Sequence, residues 1–251
     1  MEAMLLYGIL STLLGLMIGS FLNVVIYRVP RGENIAFPGS HCPSCGHKLS
    51  WYHNVPVFSW LFLRGKCAFC GEKISAQYPL VELSTAALWL VLFLKLGAVW
   101  WYPFVAASFT ALLALSVIDL KYYAVPDSVN FFALGAALIG PNLLKLDMSN
   151  PIVNAAIAAG GLWLLAFIIS KIARKEAMGG ADVIVAGTMA ALLGFPNFFV
   201  ALFLSAILAI IPSLFAKDTM VPFVPFLALA TLIVYLFDAQ TADLLHWIVY
   251  R

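Results

Sequence analysis

Charge is what this chain lacks most. Of its 251 residues only 10% are Asp, Glu, Lys or Arg, whereas 63% are hydrophobic; a soluble domain carries about a quarter of its residues as charges. That shortage excludes a surface wetted on all sides and leaves lipid as the solvent for much of the molecule. The apolar runs are continuous, without polar–apolar alternation, which excludes β-barrel spans. The first run has no basic residue ahead of it and no small-residue cleavage site before Tyr27-Arg28, so it reads as a retained helix and not a signal peptide. Low-complexity tracts and internal repeats are not evident, and no basic–aromatic pattern points to nucleic acid.

What the chain does have is long apolar stretches. A spanning helix needs roughly 20 mostly apolar residues. About eight candidates run near 4–27, 80–96, 99–118, 129–145, 152–170, 182–195, 198–216 and 221–237, the sixth and eighth of them short. The expected fold is an all-α integral membrane protein in three parts: a first transmembrane helix over 1–27, a cytoplasmic four-cysteine module over 28–79, and a transmembrane helical bundle over 80–251. The module holds most of the polar residues and turn formers such as Pro30-Arg31-Gly32 and Pro38-Gly39-Ser40. Gly15 and Gly19 form a small-xxx-small pair, which predicts close helix packing.

Basic residues orient the chain. Arg28, Arg31, Lys48, Arg64, Lys66 and Lys73 fall in the first loop, and eight crossings would add Lys121, Lys171, Arg174, Lys175 and Lys217 to the same side. Lys95, Lys145 and Arg251 fall on the other. About eleven of the 14 basic residues are then cytoplasmic, as the positive-inside rule requires, with both termini on the opposite face.

Cys42-Pro43-Ser44-Cys45 and Cys67-Ala68-Phe69-Cys70 are two CxxC pairs separated by 21 residues, each followed by Gly. Four thiolates on two tight turns can enclose a tetrahedral zinc. A module of about 50 residues has little core of its own, so the metal would supply much of its folding energy. A pair of disulfides is the competing reading, disfavoured by a reducing cytosol; thiol redox chemistry is another. His41, His47 and His53 read as ordinary loop residues, with room for a supporting role for one, because four cysteines already complete a site.

Two carboxylates fall at the ends of apolar stretches: Asp119, in Val117-Ile118-Asp119-Leu120, and Asp182, in Gly179-Gly180-Ala181-Asp182. An ionisable residue at membrane depth is costly, so it is a functional candidate by default. The predicted topology puts both on the cytoplasmic side. Two close carboxylates cannot easily both ionise; they share a proton and can serve as base and acid in hydrolysis of a peptide bond. Gly179, Gly180 and Ala181 would let a substrate backbone come close. Other readings stand beside this one: Asp182 capping its helix, and Asp119 resting in the headgroup layer. Asp127, after Val125-Pro126, reads as a helix cap. Glu82 and Asn23, polar within apolar runs, could bond between helices or line a site.

These residues resemble the bacterial prepilin peptidases (type IV leader peptidases) along nearly the whole chain. The resemblance runs through Gly19-Ser20-Phe21-Leu22-Asn23 to Arg28, through Cys42-Pro43-x-Cys45, Trp51-Tyr52-His53-Asn54 and Arg64-Gly65-Lys66-Cys67, and through Tyr78-Pro79-Leu80-Val81-Glu82, to Ile118-Asp119 with Val125-Pro126-Asp127. The second aspartate of such enzymes typically lies in Gly-x-Gly-Asp; here Ala181 stands in place of the second Gly, where a left-handed backbone would be disfavoured. The resemblance implies a membrane aspartyl endopeptidase of the bacterial inner membrane. It would remove the basic leader from prepilins or pseudopilins at the cytoplasmic face, with Asp119 and Asp182 as the catalytic pair. It also implies S-adenosylmethionine-dependent N-methylation of the new N-terminus, although no Gly-rich nucleotide fingerprint locates the methyl donor. Asp127 and Glu82 are candidates for receiving the leader's positive charge. A peptidase without methylation, an ion-coupled transporter and a non-enzymatic assembly protein are the alternatives, and paired broken helices of the transporter kind are not evident.

Overall fold

The computed structural model describes residues 2–145, 147, 149–174, 179–215, 221–241 and 243; Lys175, Lys217 and Arg251, used in the charge count above, lie outside them. The described residues form helices α1 (Glu2–Arg28), α2 (Phe58–Phe62), α3 (Gln77–Leu96), α4 (Tyr102–Tyr122), α5 (Asp127–Ala137), α6 (Pro151–Ala173), α7 (Gly180–Leu193), α8 (Asn197–Phe215) and α9 (Val224–Leu236), with short 3-10 turns at Val29–Arg31 and Trp51–Asn54. The all-α class expected from the sequence is what forms: among the described residues, sheet-like pairing is limited to two isolated bridges, His41 with Lys48 and Lys66 with Lys73.

Each apolar stretch holds a helix, but the count of eight full spans is not confirmed. Five helices, α1, α3, α4, α6 and α8, are long and apolar enough to cross a membrane. Helices α5, α7 and α9 have 11, 14 and 13 residues. At 1.5 Å per residue they reach roughly 17–21 Å, short of the ~30 Å hydrocarbon layer. Hydropathy over 129–145 does not register that the helix stops at Ala137 and the chain turns at Gly140-Pro141.

The chain divides into two compact units, Met1–Val99 and Trp100–Arg251. In the first, α1 lies along α3. The buried face of α1 carries Gly8, Ser11, Gly15, Gly19, Leu22, Asn23 and Ile26, spaced three and four residues apart along one helix face. A Cβ on Gly15 would lie 2.8 Å from the Cα of Ala86, and one on Gly19 2.7 Å from the Cα of Glu82. The two backbones therefore touch, as the small-xxx-small spacing predicts. The Asn23 side-chain amide donates to the Tyr78 carbonyl at 3.1 Å, which makes it an interhelical bond. At the end of α1 the buried Arg28 guanidinium donates to the carbonyls of Asn34 (3.0 Å) and Pro38 (2.7 Å), tying down the first loop of the cysteine module.

In the second unit α4 is buried along most of its length and packs against α5 and α9. Helix α7 packs against α5, α6, α8 and α9. Helices α6 and α8 turn Trp163, Phe167, Phe203 and Ile211 outward, as lipid-facing surfaces do. Helix α4 stops where Tyr123 adopts a left-handed conformation, its N–H bonding to the Asp119 carbonyl at 2.9 Å. The cap expected of Asp127 does not form. Pro126 takes the N-cap position of α5, and Asp127 is its first helical residue with no capping bond. Proline's fixed φ suits that extended position, and the carboxylate instead sits in the first turn, near the positive end of the helix dipole.

Replacing Gly15 or Gly19 with Leu should force α1 off α3. We expect a loss of roughly 1–3 kcal/mol, the usual cost of overpacking, seen as a lower Tm in detergent. Gly161→Ala, where a Cβ meets nothing within 4 Å, should leave Tm unchanged or raise it.

Candidate active site and metal centre

The four cysteines converge in the first unit. Their Sγ atoms all lie within 4.8 Å of one another, Cys42 and Cys70 at 3.9 Å, and all four are free thiols. A tetrahedral zinc with Zn–S bonds of about 2.3 Å holds its sulfurs ~3.8 Å apart, so the donor set fits that metal. The local fold explains the convergence. Cys42 N–H donates to the His47 carbonyl, Gly46 N–H to Cys42 and Leu49 N–H to Ser40; Cys67, Gly71 and Ile74 repeat the three bonds with Glu72, Cys67 and Gly65. Gly46 (φ +70°) and Gly71 (φ +73°) take the left-handed conformation that lets each turn close, and open space surrounds both, so backbone conformation rather than room requires glycine. The module therefore contains a short internal repeat that the sequence reading did not find, because outside Cys-x-x-Cys-Gly-x-Lys the two copies share little.

Clustering also divides the thiols electrostatically. The Cys45 backbone N–H, the largest influence, holds the Cys42 thiol down to about 6. Cys70 has the Glu72 N–H to favour its thiolate, yet burial and the neighbouring sulfurs push it up to about 12. A bound dication would remove that opposition and let all four ionise. The histidines stay out of the cluster: His47 lies against the Phe69 ring at 3.6 Å between centroids, and His53 Nδ1 accepts from the Ser50 N–H.

Both aspartates belong to the second unit. Asp119 sits in the last turn of α4, 7% exposed. Its Oδ2 accepts the Val224 N–H at 3.1 Å, and the Phe223 N–H adds to it. The carboxylate is thus held at the N-terminus of α9, where free N–H groups point at it. Asp182 lies in the first turn of α7, half-buried, accepts the Gly179 N–H, and is close enough to Asp119 to feel its charge. It does not cap α7; Gly179 does. A Cβ on Gly179 would come within 3.5 Å of the Asp182 carboxylate, and Gly180 faces open space. Gly179 has φ −69°, and α7 is helical from Gly180. Ala181 needs no left-handed conformation, so the departure from the usual glycine carries no backbone penalty.

Asn130 was not singled out from the sequence. It is fully buried in α5, and its amide donates to the Ala181 carbonyl at 2.9 Å, which fixes the turn that presents Asp182. The signal was available, since Asn130 is polar within an apolar run as Asn23 is. Of the leader candidates, Asp127 is exposed. Glu82 belongs to the first unit, where it is buried and accepts the Val57 N–H at 2.7 Å. A cavity of about 430 Å³ lined by Asn142, Ser149, Asn154 and Gly194 lies at the far end of α7 from Asp182, away from the carboxylates.

Comparison with known proteins follows the division into units. Residues 13–96 match the bacterial peptidase A24 N-terminal domain, and residues 106–214 match the type IV leader peptidase family. A prepilin leader peptidase/N-methyltransferase of Dichelobacter nodosus is 34% identical over 263 residues, covering 92% of each chain. One of Xanthomonas campestris pv. campestris is 33% identical, covering 92% of this chain and 91% of its own. One of Myxococcus xanthus is 38% identical over 193 residues, covering 75% of this chain and 56% of its own. No solved structure matches.

If the cysteines hold zinc, purified protein should carry one zinc per chain by elemental analysis, with thiols slow to alkylate. Cys67→Ser should release the metal and expose the remaining thiols. Acidification should do the same, because protons compete for thiolate ligands.

Proposed function

We propose that this chain, which belongs to the type IV leader peptidase family, removes the basic leader peptide from type IV prepilins or pseudopilins with Asp119 and Asp182 as an aspartyl pair. The observation that carries the reading is that the carboxylates of α4 and α7 lie close enough for the charge of Asp119 to act on Asp182, with Asp119 held by the start of α9. Such a pair shares a proton and titrates as a unit. The ionised member takes a proton from water, and the resulting hydroxyl attacks the scissile carbonyl. The protonated member gives its proton to the carbonyl oxygen, forming a gem-diol; as this collapses, the carboxylate just ionised takes a hydroxyl proton from it and the other member gives its proton to the leaving amine. The Val224 N–H orients Asp119 throughout. Gly179 and Gly180 keep the Asp182 side open to an extended substrate backbone.

The charged residues support a cytoplasmic cut. Lys121 ends α4 beside Asp119, and Lys171 and Arg174 end α6 just before α7 begins with Asp182. The aspartate end of this unit is thus its basic end, the one the positive-inside rule assigns to the cytosol. A substrate with a basic leader in the cytosol and an apolar helix in the bacterial inner membrane presents its cleavage site there. Exposed Asp127, in the first turn of α5, is suited to meet the leader's positive charge.

Methylation of the new N-terminal amine is the second activity. S-adenosylmethionine would supply the methyl group, and we assign no residue of this chain to it. The cysteine module would hold a zinc through Cys42, Cys45, Cys67 and Cys70, with a structural role.

Asp119→Asn and Asp182→Asn keep size and remove acid–base capacity. Each should lower cleavage of a prepilin by roughly 100-fold or more while Tm is retained; wild-type cleavage by either variant would end the aspartyl reading. Mass spectrometry of the product's N-terminus separates a methylating enzyme from a peptidase alone. Asp127→Lys should raise KM several-fold for a basic-leader substrate and little for a neutral one; an equal change for both would remove Asp127 from leader recognition.

A further inference from the structure

The short helix α2 is inside out. A helix outside the lipid-spanning segments should bury its apolar side and expose its polar side. In Phe58–Phe62 the reverse holds: Ser59 is buried, while Phe58, Leu61 and Phe62 face outward, Phe62 85% exposed. Residues 58, 61 and 62 fall within one narrow arc at helical spacing, so they form one apolar face. The opposite side is fastened by polar bonds. The Ser59 hydroxyl donates to the Tyr52 carbonyl at 2.8 Å. The Trp60 indole N–H donates to the Ile74 carbonyl at 3.1 Å, its ring packed where Gly65 leaves no side chain. The preceding turn adds Trp51, 80% exposed, and Tyr52.

The backbone that launches α2 is strained to hold this orientation. Val57 has φ +62° and ψ −52°, and the Phe58 N–H closes back on the Pro56 carbonyl, a γ-turn of the rarer, strained hand. A β-branched residue occupies it because the Glu82 carboxylate in α3 grips the Val57 N–H at 2.7 Å. Glu82 lies in the second turn of α3, close to where that helix enters its span. The start of α2 is thereby pinned to the membrane end of a spanning helix.

We propose that α2, with Trp51 and Tyr52, lies in the headgroup layer of the bilayer and seats the cysteine module on the membrane surface. The occupant of this apolar face is lipid. The module is inserted between two spanning helices, α1 and α3, whose ends at Arg28 and Gln77 leave the membrane on the same side. Exposed Tyr27 and Leu80 carry the lipid-facing surface up to those ends. Trp and Tyr are the residues that settle at that depth, and exposed Arg64 and Lys66, directly after α2, can meet anionic headgroups.

The test uses the full chain in phosphatidylethanolamine–phosphatidylglycerol vesicles, with p-benzoylphenylalanine placed at position 62, at Leu13 on the exposed face of α1 and at exposed Lys48. After irradiation, phospholipid adducts are read by mass. Adducts at 62 in yield comparable to 13, with none at 48, are the expected result. Phe58→Ser combined with Leu61→Ser should then cut the yield at 62 several-fold with Tm unchanged. Adducts at 13 but none at 62 would overturn the proposal. So would a probe at 62 that captures only an added prepilin, since the face would then receive substrate.

Discussion

A polar group that leaves water inside this molecule is costly without a partner, and few side chains are available to provide one. In hydrocarbon an unsatisfied polar group costs several kcal/mol. The solution recurs: a buried polar side chain takes a backbone group of another segment. Asp119 takes the Val224 N–H, Glu82 the Val57 N–H, Asn23 the Tyr78 carbonyl and Asn130 the Ala181 carbonyl. All four backbone partners lie within the first two residues of a helix or immediately before one. Helix starts are where the backbone still has unpaired N–H groups to offer and where the chain must be aimed. The same bonds therefore set the entry points of α2, α3, α7 and α9.

That economy places the two carboxylates. Asp119 comes from the end of one helix and Asp182 from the beginning of another. Helix α9 receives the first at its N-terminus, and Asn130 of α5 holds the turn before the second. Helices α5 and α9 each pack against both α4 and α7, so the elements too short to span a bilayer are the ones that hold the pair in register. Asp119 is buried and Asp182 half-buried beside helix ends, while α6 and α8 pack against α7 and present their other faces outward.

The cysteine module solves a different problem. With little apolar core, it relies on two copies of one turn, each closed by a left-handed glycine, to bring four sulfurs within range of one metal ion. Arg28 and Glu82 fasten the loops of the module to the ends of α1 and α3. The result is a small metal-suited fold bonded at its base to both helices, and the bonds of Ser59 and Trp60 on the inner side of α2 leave its aromatic face turned outward.

Composition and pattern alone settle the solvent, the helical class, the four-sulfur cluster and the close packing of α1, because hydropathy, CxxC spacing and small-residue spacing are local properties written along the chain. The eight apolar stretches do mark eight helices, and the two aspartates do sit at helix ends. Helix length escapes such reading: α5 stops well inside its apolar stretch because the chain turns there, and apolarity carries no record of turns. Asp127 likewise looks like a cap until Pro126 takes that position. Only the tertiary structure decides that Asp119 is held by Val224, 105 residues away, that Asn130 supports the turn before Asp182, and that Val57 accepts a strained conformation for the sake of Glu82. Each of these is a bond to backbone, and a backbone N–H or carbonyl is the same at every residue, so the sequence carries no mark of which one a buried side chain will find.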